Sequence, residues 1–184
     1  MVRSLALSVE ARDQHTGGHC RRLGKLAISL AGWLDLPEAN GLICERAGYL
    51  HDIGKIGIPD SILLKPSSLT RSKWSTMRDH PTISEQILRP LDFLEPVLPV
   101  VRHHHERWDG QGYPDSLAGR RIPLIARVIQ VADAYDALTS QRPYRQMLCP
   151  ATALDLIQTE AADGRFDLGV VKIFVNRMAV SLSR

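Results

Sequence analysis

Along most of the chain apolar residues recur every three to four positions, while the strict alternation of a half-buried strand is absent, so the pattern predicts an all-α domain. The first amphipathic stretch covers about residues 3–34, with Leu23, Leu26, Leu30 and Leu34 continuing the face that carries His19. Gly17-Gly18 weakens its middle, since glycine costs roughly 1 kcal/mol relative to alanine inside a helix. Pro37 reads as opening a short second helix, and residues 41–51 as a third. Gly54, Gly57 and Pro59 end that helix, and residues 58–69 read as an ordered connecting loop. Thr70 is placed as the N-cap of a helix over 71–79, followed by another over 82–89. Pro96 and Pro99 then precede a helix that reaches His103-His104-His105. Glycines at 110, 112 and 119 and prolines at 114 and 123 exclude regular structure over 106–123, and so long a loop in a compact domain usually carries function. Helices over 122–139, 150–160 and 168–180 complete a helical bundle of about seven to nine members.

The helix over 122–139 breaks its own pattern. Ile122, Ile125 and Ile129 form one stripe, and continuing it by helical spacing lands on Asp133 and Asp136. Two carboxylates thus stand where core residues are called for, and a buried carboxylate needs a cation, a donor or a raised pKa. The histidines supply candidate chemistry: all seven lie at or before residue 105, and five fall into tight groups. Neutral imidazole is the most general side-chain ligand for first-row metals, and a carboxylate can hold two ions through its two oxygens.

His51-Asp52 stands near the C-terminal end of a helix, where both side chains can reach one cavity, and Lys55 follows His51 by one turn. His80, followed by Pro81 at the end of a helix, reads by itself as a capping or surface residue. His104 and His105 point inward because Val97, Val100 and Val101 are core-like; three consecutive helical positions span too wide an arc for one site, so His103 flanks it. His15 and His19, at i,i+4, either chelate a metal or border the cavity.

At 184 residues the chain suits a single domain, and 23 basic against 20 acidic residues make it only mildly basic, compatible with a small anionic substrate and weak support for a nucleic-acid polymer. Arg21-Arg22 and Arg120-Arg121 read as solvated surface. Cys20, Cys44 and Cys149 are odd in number and lack a Cys-x-x-Cys pair, which argues against a disulfide framework or zinc ribbon and for a reducing cytoplasm. No apolar run approaches the roughly 20 residues of a membrane span. The chain begins almost inside its first helix, so it reads as one domain excised from a longer protein with an N-terminal sensory or receiver region.

Taken together, His51-Asp52-Ile53-Gly54-Lys55-Ile56-Gly57-Ile58-Pro59, His80-Pro81, the His104-His105-Glu106 run with Asp109-Gly110 and Gly112-Tyr113-Pro114, and Asp133-x-x-Asp136-Ala137-Leu138-Thr139-Ser140 with Arg142-Pro143-Tyr144 resemble the HD-GYP family of bacterial phosphodiesterases, a branch of the HD-domain metal-dependent phosphohydrolases. The resemblance covers roughly residues 8–175 and implies hydrolysis of cyclic di-GMP to linear pGpG and/or GMP in second-messenger signalling. It implies metal ligands at His51, Asp52, His80, His104, His105 and Asp133, with Asp52 bridging two ions, and further metal or cavity positions at His15, His19 and Asp136. Lys55 would join Asp52 in catalysis, protonating the departing ribose oxygen, while Arg142, Arg145 and Tyr113 would bind substrate. Two or three divalent ions are implied, iron or manganese foremost, with zinc, nickel or cobalt as alternatives. Expected partners are cyclic di-GMP, a diguanylate cyclase (GGDEF) domain through the Gly-Tyr-Pro loop, and a second chain through the N-terminal helix.

Three positions depart from the family pattern. His15 stands where some members have a metal-binding glutamate, Thr70-Arg71-Ser72-Lys73 lacks the glutamate of a capping box, and Phe166-Asp167-Leu168 replaces Phe-Asp-Pro. Rival readings are a catalytically silent cyclic di-GMP sensor or docking domain, an HD phosphohydrolase of another nucleotide or cyclic dinucleotide, and a di-iron oxygenase, a class that lacks this loop and the arginine pair.

Overall fold

The computed structural model describes residues 2–10, 18–65, 67–141 and 146–182. Every regular element among them is helical: α1 (Val2–Glu10), α2 (His19–Trp33), α3 (Glu38–Leu50), α4 (Asp60–Leu63), α5 (Arg71–Met77), α6 (His80–Leu88), α7 (Leu98–His103), α8 (Leu124–Thr139), α9 (Pro150–Ala162) and α10 (Leu168–Leu182). Short 3-10 turns cover Ile53–Gly57, Asp92–Val97 and Gly119–Arg121. The all-α expectation holds, and nine of the described α-helices are six residues or longer. None is long and apolar enough to cross a membrane.

Several boundaries differ from the sequence reading, each for a local reason. Residues 3–34 are not one helix: Gly18 has φ +73°, a left-handed conformation open to glycine, and α2 starts after it. Pro37 opens no separate short helix but precedes an unbroken α3, its fixed φ suiting a helix entry. The 58–69 connection contains the single turn α4, closed by bonds from the Ile62 and Leu63 N–H groups to the Pro59 carbonyl. His80 begins α6 rather than ending the helix before it, and Pro81 sits in the first turn, where its missing N–H costs nothing. Pro99 likewise stands inside the first turn of α7.

Helix α8 is the axis of the bundle, touching α2, α3, α7, α9 and α10. Ten of its sixteen residues are buried, so a carboxylate on this helix meets protein on most sides. Around it Leu23 and Leu30 of α2, Leu50 of α3, Ile157 of α9 and Phe174 of α10 are fully buried, each contributing about 1.5–3 kcal/mol of transfer free energy. Helices α2 and α3 approach closely through glycine: a Cβ on Gly48 would lie 2.6 Å from the Cα of Gly24. That contact brings the beginning of α2, with His19, toward the end of α3, with His51.

Candidate metal centre

His51 caps the end of α3, and Asp52 stands where the helix tightens into the 3-10 turn. The two Asp52 oxygens face different neighbours. Oδ2 lies 3.3 Å from His51 Nε2 and 2.7 Å from Lys55 Nζ, whereas Oδ1 lies 3.2 Å from His80 Nε2 and 3.8 Å from His104 Nε2. A Cβ on Gly54 would overlap the His80 carbonyl oxygen, so only glycine lets this turn sit against the start of α6. Ser84, one turn after His80, donates to the His51 carbonyl (3.0 Å) and accepts from the Gly54 N–H (2.8 Å), fastening the two segments together.

Three imidazoles are oriented by the backbone. The Nδ1–H groups of His51, His80 and His104 donate to the carbonyls of Gly48 (3.2 Å), Met77 (2.8 Å) and Val101 (2.7 Å), each three residues earlier. That fixes the tautomer and turns each Nε2 lone pair toward the cluster, as metal ligation requires. His105 is held differently: its ring stacks on Tyr113 at 4.9 Å and 25°, and the Tyr113 N–H donates to the His105 carbonyl (3.2 Å). Burial, reinforced by neighbouring imidazoles, pushes His104 well below the usual histidine range and His105 down to about 3, so both are neutral. Burial alone would raise Asp52, but the Lys55 ammonium and His51 outweigh it and hold this carboxyl well below the usual range. Burial would likewise lower His51, yet the facing Asp52 carboxylate raises it.

Two groups of donor atoms result. Asp52, His80, His104 and His105 form one; His19, His51 and Asp133 form the other, with all donor atoms of a group within 4.8 Å of one another. The six positions marked by the motifs are therefore brought together, and His19 joins them. His19 Nε2 lies 3.4 Å from Asp133 Oδ1, while its Nδ1 lies 2.7 Å from Asp136 Oδ2. Asp136 stands outside both groups and orients His19. Its carboxylate also accepts from Arg22 Nε (2.6 Å) and Nη2 (3.0 Å), and these partners bring it down to about 2 despite the opposing effect of burial. Arg22 is exposed at the surface as read, yet it also pairs with this buried carboxylate, a role the reading of Arg21-Arg22 did not assign. His103 points away: Nδ1 meets the Pro99 carbonyl (2.8 Å) and Nε2 meets Asp115 (2.9 Å). His15, Arg142 and Arg145 lie outside the described residues. Buried imidazoles with two carboxylates fit first-row divalent ions.

The loop after His105 is organised by a residue to which the sequence reading gave no role. Glu106 is buried, and its two oxygens accept from the Asp115 N–H (2.7 Å) and the Leu117 N–H (3.0 Å). Gln130 of α8 donates to the Glu106 carbonyl (2.7 Å), and a Cβ on Gly112 would overlap the backbone of Glu106 and Arg107. The signal was available: a glycine- and proline-rich loop leaves N–H groups that need acceptors, and Glu106 directly follows two inward histidines. Ser84 offered no such signal. Residues Asp109 to Pro114 supply no donor to either group; they wall a cleft of about 560 Å³ that reaches His104, His105 and Asp133 and includes Gln111, Gly112 and Tyr113 in its lining.

Comparisons with known proteins agree with this geometry. The chain is 44% identical over 144 residues to the cyclic di-GMP phosphodiesterase response regulator RpfG of Xanthomonas campestris pv. campestris, covering 77% of this chain and 38% of that protein. It is 37% identical over 187 residues to a cyclic di-GMP phosphodiesterase of Vibrio cholerae, covering 94% of this chain and 38% of the relative. The chain therefore spans under two fifths of the length of these curated relatives. A solved structure of a cyclic GMP-AMP specific phosphodiesterase of V. cholerae shares the fold at TM-score 0.72 and 20% identity, covering 97% of this chain and 47% of that one. The family model described as HD domain matches residues 3–170, and with the Gly112-Tyr113-Pro114 loop beside the paired donor groups, the chain belongs to the HD domain family in its HD-GYP branch.

Proposed function

We propose that this domain hydrolyses the phosphodiester bonds of cyclic di-GMP, giving linear pGpG and/or GMP. The observation that carries the reading is Asp52, whose two oxygens face separate sets of imidazoles, the arrangement needed to bridge two ions. His51, Asp52, His80, His104, His105 and Asp133 would hold two ions, with His19 beside His51 able to complete the second position or to help hold a third. Iron or manganese suits this mixed nitrogen and oxygen set best, and zinc, nickel or cobalt also fits. Bound there, the ions would acidify a water nucleophile and neutralise charge on the phosphate oxygens.

The remaining work falls to the chain itself. Neutral His104 and His105 offer lone pairs without first losing a proton. Lys55, 2.7 Å from Asp52, keeps that carboxylate ionised and is the proton donor for the departing ribose oxygen. Arg142 and Arg145 would grip the phosphates, arginine's planar fork matching their oxygens. Tyr113 stacks on His105 and lines the cleft, where it would also bind substrate. A silent sensor is the weaker reading, because degenerate sites lose ligands and all six are gathered here. The same proposal places the domain in the cytoplasm behind an N-terminal sensory or receiver region, with a GGDEF domain docking on the Gly-Tyr-Pro loop and a second chain pairing through the N-terminal helix.

The test is metal analysis of protein purified without added metal, together with product identification from cyclic di-GMP and from cyclic GMP-AMP, for which the structural neighbour above is specific. Two or three ions per chain and preferential turnover of cyclic di-GMP are expected. A metal-loaded protein that leaves cyclic di-GMP intact overturns the reading; preference for the mixed dinucleotide moves it to that substrate.

A further inference from the structure

Two side chains on the cleft wall take no part in the hydrolysis. Trp74 and Arg78 stand one helical turn apart, in α5 and at its C-cap, and both line the cleft that reaches His104, His105 and Asp133. Trp74 leaves 48% of its surface exposed, a large indole face with nothing stacked on it among the described residues. Two other arginines of the same cleft are already neutralised: Arg107 Nη2 lies 2.6 Å from Asp109 and Arg165 Nη1 lies 2.8 Å from Glu160. Arg78 has no carboxylate partner among the described residues; its guanidinium lies over the Tyr113 ring at 5.2 Å, and that ring stacks on His105. An aromatic face thus steadies Arg78 beside the metal centre and leaves its donors without an anionic acceptor.

We infer that Trp74 and Arg78 form a purine subsite, in which Trp74 stacks on one base of the dinucleotide and Arg78 donates to the O6 and N7 edge of guanine. The inference rests on the proposed hydrolysis of a cyclic dinucleotide. Stacking on an indole is open to any base, because every base has a π-face. Discrimination comes from arginine: guanine presents two acceptors on that edge, whereas adenine presents one acceptor and an amino donor that opposes the guanidinium. Trp74 accordingly sets affinity for a purine, and Arg78 sets the preference for guanine.

Steady-state kinetics of the metal-loaded protein on cyclic di-GMP, cyclic di-AMP and the base-free diester methyl p-nitrophenyl phosphate test the assignment. Trp74→Leu keeps an apolar side chain at a half-exposed position but removes the π-face; KM for both cyclic dinucleotides should rise about tenfold, with Trp74→Phe recovering most of the loss. Arg78→Met should raise KM for cyclic di-GMP about tenfold and leave cyclic di-AMP little affected, shrinking the preference. The losses should be carried by KM rather than kcat, and the base-free diester, which offers one small nitrophenyl ring and no guanine edge, should lose far less in Trp74→Leu and nothing in Arg78→Met. Unchanged KM values in both variants, or an equal loss on the base-free diester, overturn the subsite. If the wild type turns over no cyclic dinucleotide, the hydrolysis reading fails by itself, and calorimetric titration with cyclic di-GMP still decides the subsite. Weaker binding to Trp74→Leu then supports it, and equal binding or none overturns it.

Discussion

The two donor groups differ at His19, which relies on a carboxylate side chain where His51, His80 and His104 rely on the backbone. His80 and His104, which face one Asp52 oxygen, are tied through Nδ1–H to backbone carbonyls three residues earlier, and so is His51. His19, on the far side, is tied to the Asp136 side chain, itself gripped by Arg22 from α2. A carbonyl belongs to the helix and survives replacement of its residue; a carboxylate does not. A carboxylate behind an imidazole also makes it more basic, and so a stronger donor. His51, His80 and His104 are therefore set by the path of the chain, whereas the second group depends, at His19, on side chains that join α2 to α8.

The comparison breaks first at Asp52, whose two oxygens face an imidazole of each half. Asp52→Ala should strip metal from both groups and lower turnover on the order of a thousandfold, because in the proposed reading this carboxylate would bridge the two ions. Metal content measured beside turnover checks this. Retained metal with wild-type turnover would remove Asp52 from the centre altogether.

The next largest effect separates the halves. Asp136→Asn keeps the shape but removes the charge behind His19, and should weaken ion binding at the second group about 10–100-fold while sparing the first. Met77→Leu, which changes the residue but not the carbonyl that orients His80, should leave both affinities as they were. A metal titration that resolves two classes of site reads both variants. Equal loss at both groups in Asp136→Asn would mean that the halves are coupled and the contrast is wrong.

How much of this was legible beforehand follows the same division. The isoleucine stripe of α8 marked Asp133 and Asp136 because a break in helical periodicity is a statement about burial, and Asp136 is indeed buried. The motifs marked His51, Asp52, His80, His104 and His105 through the resemblance to a known family rather than through periodicity. Arg22 escaped because an arginine pair on a helix looks the same whether it faces water or a carboxylate 114 positions along the chain. Ser84 escaped for a related reason: it satisfies backbone groups of another segment, and that need appears only when the segments meet, whereas Glu106 caps N–H groups of its own loop and was legible there. The helix breaks at Gly18 and before His80 were set by positive φ and by close packing, neither of which periodicity reports.

The smallest effect is expected at the joint between α7 and the loop that carries Tyr113, whose ring stacks on His105. Asp115 there accepts from Arg102 Nε (2.7 Å) and Nη2 (2.8 Å) and meets His103 Nε2 (2.9 Å). The Arg102 fork, and after it His103, hold the Asp115 carboxyl at about 2 against the opposing pull of burial. An unfolded aspartate titrates near 3.9, so as pH falls the unfolded chain takes up the proton first. The stabilisation is fully present above about pH 4 and is lost as pH falls through about 2. The side chain is 35% exposed, so solvent screening keeps the contribution small. Thermal melts of the wild type and of Asp115→Asn should differ most near neutral pH and converge toward pH 2. A gap of constant size across that range would show that Asp115 acts through shape and hydrogen bonding alone. In that case closing the loop over His105 needs no charge, and the first group is independent of side-chain electrostatics on this flank as well.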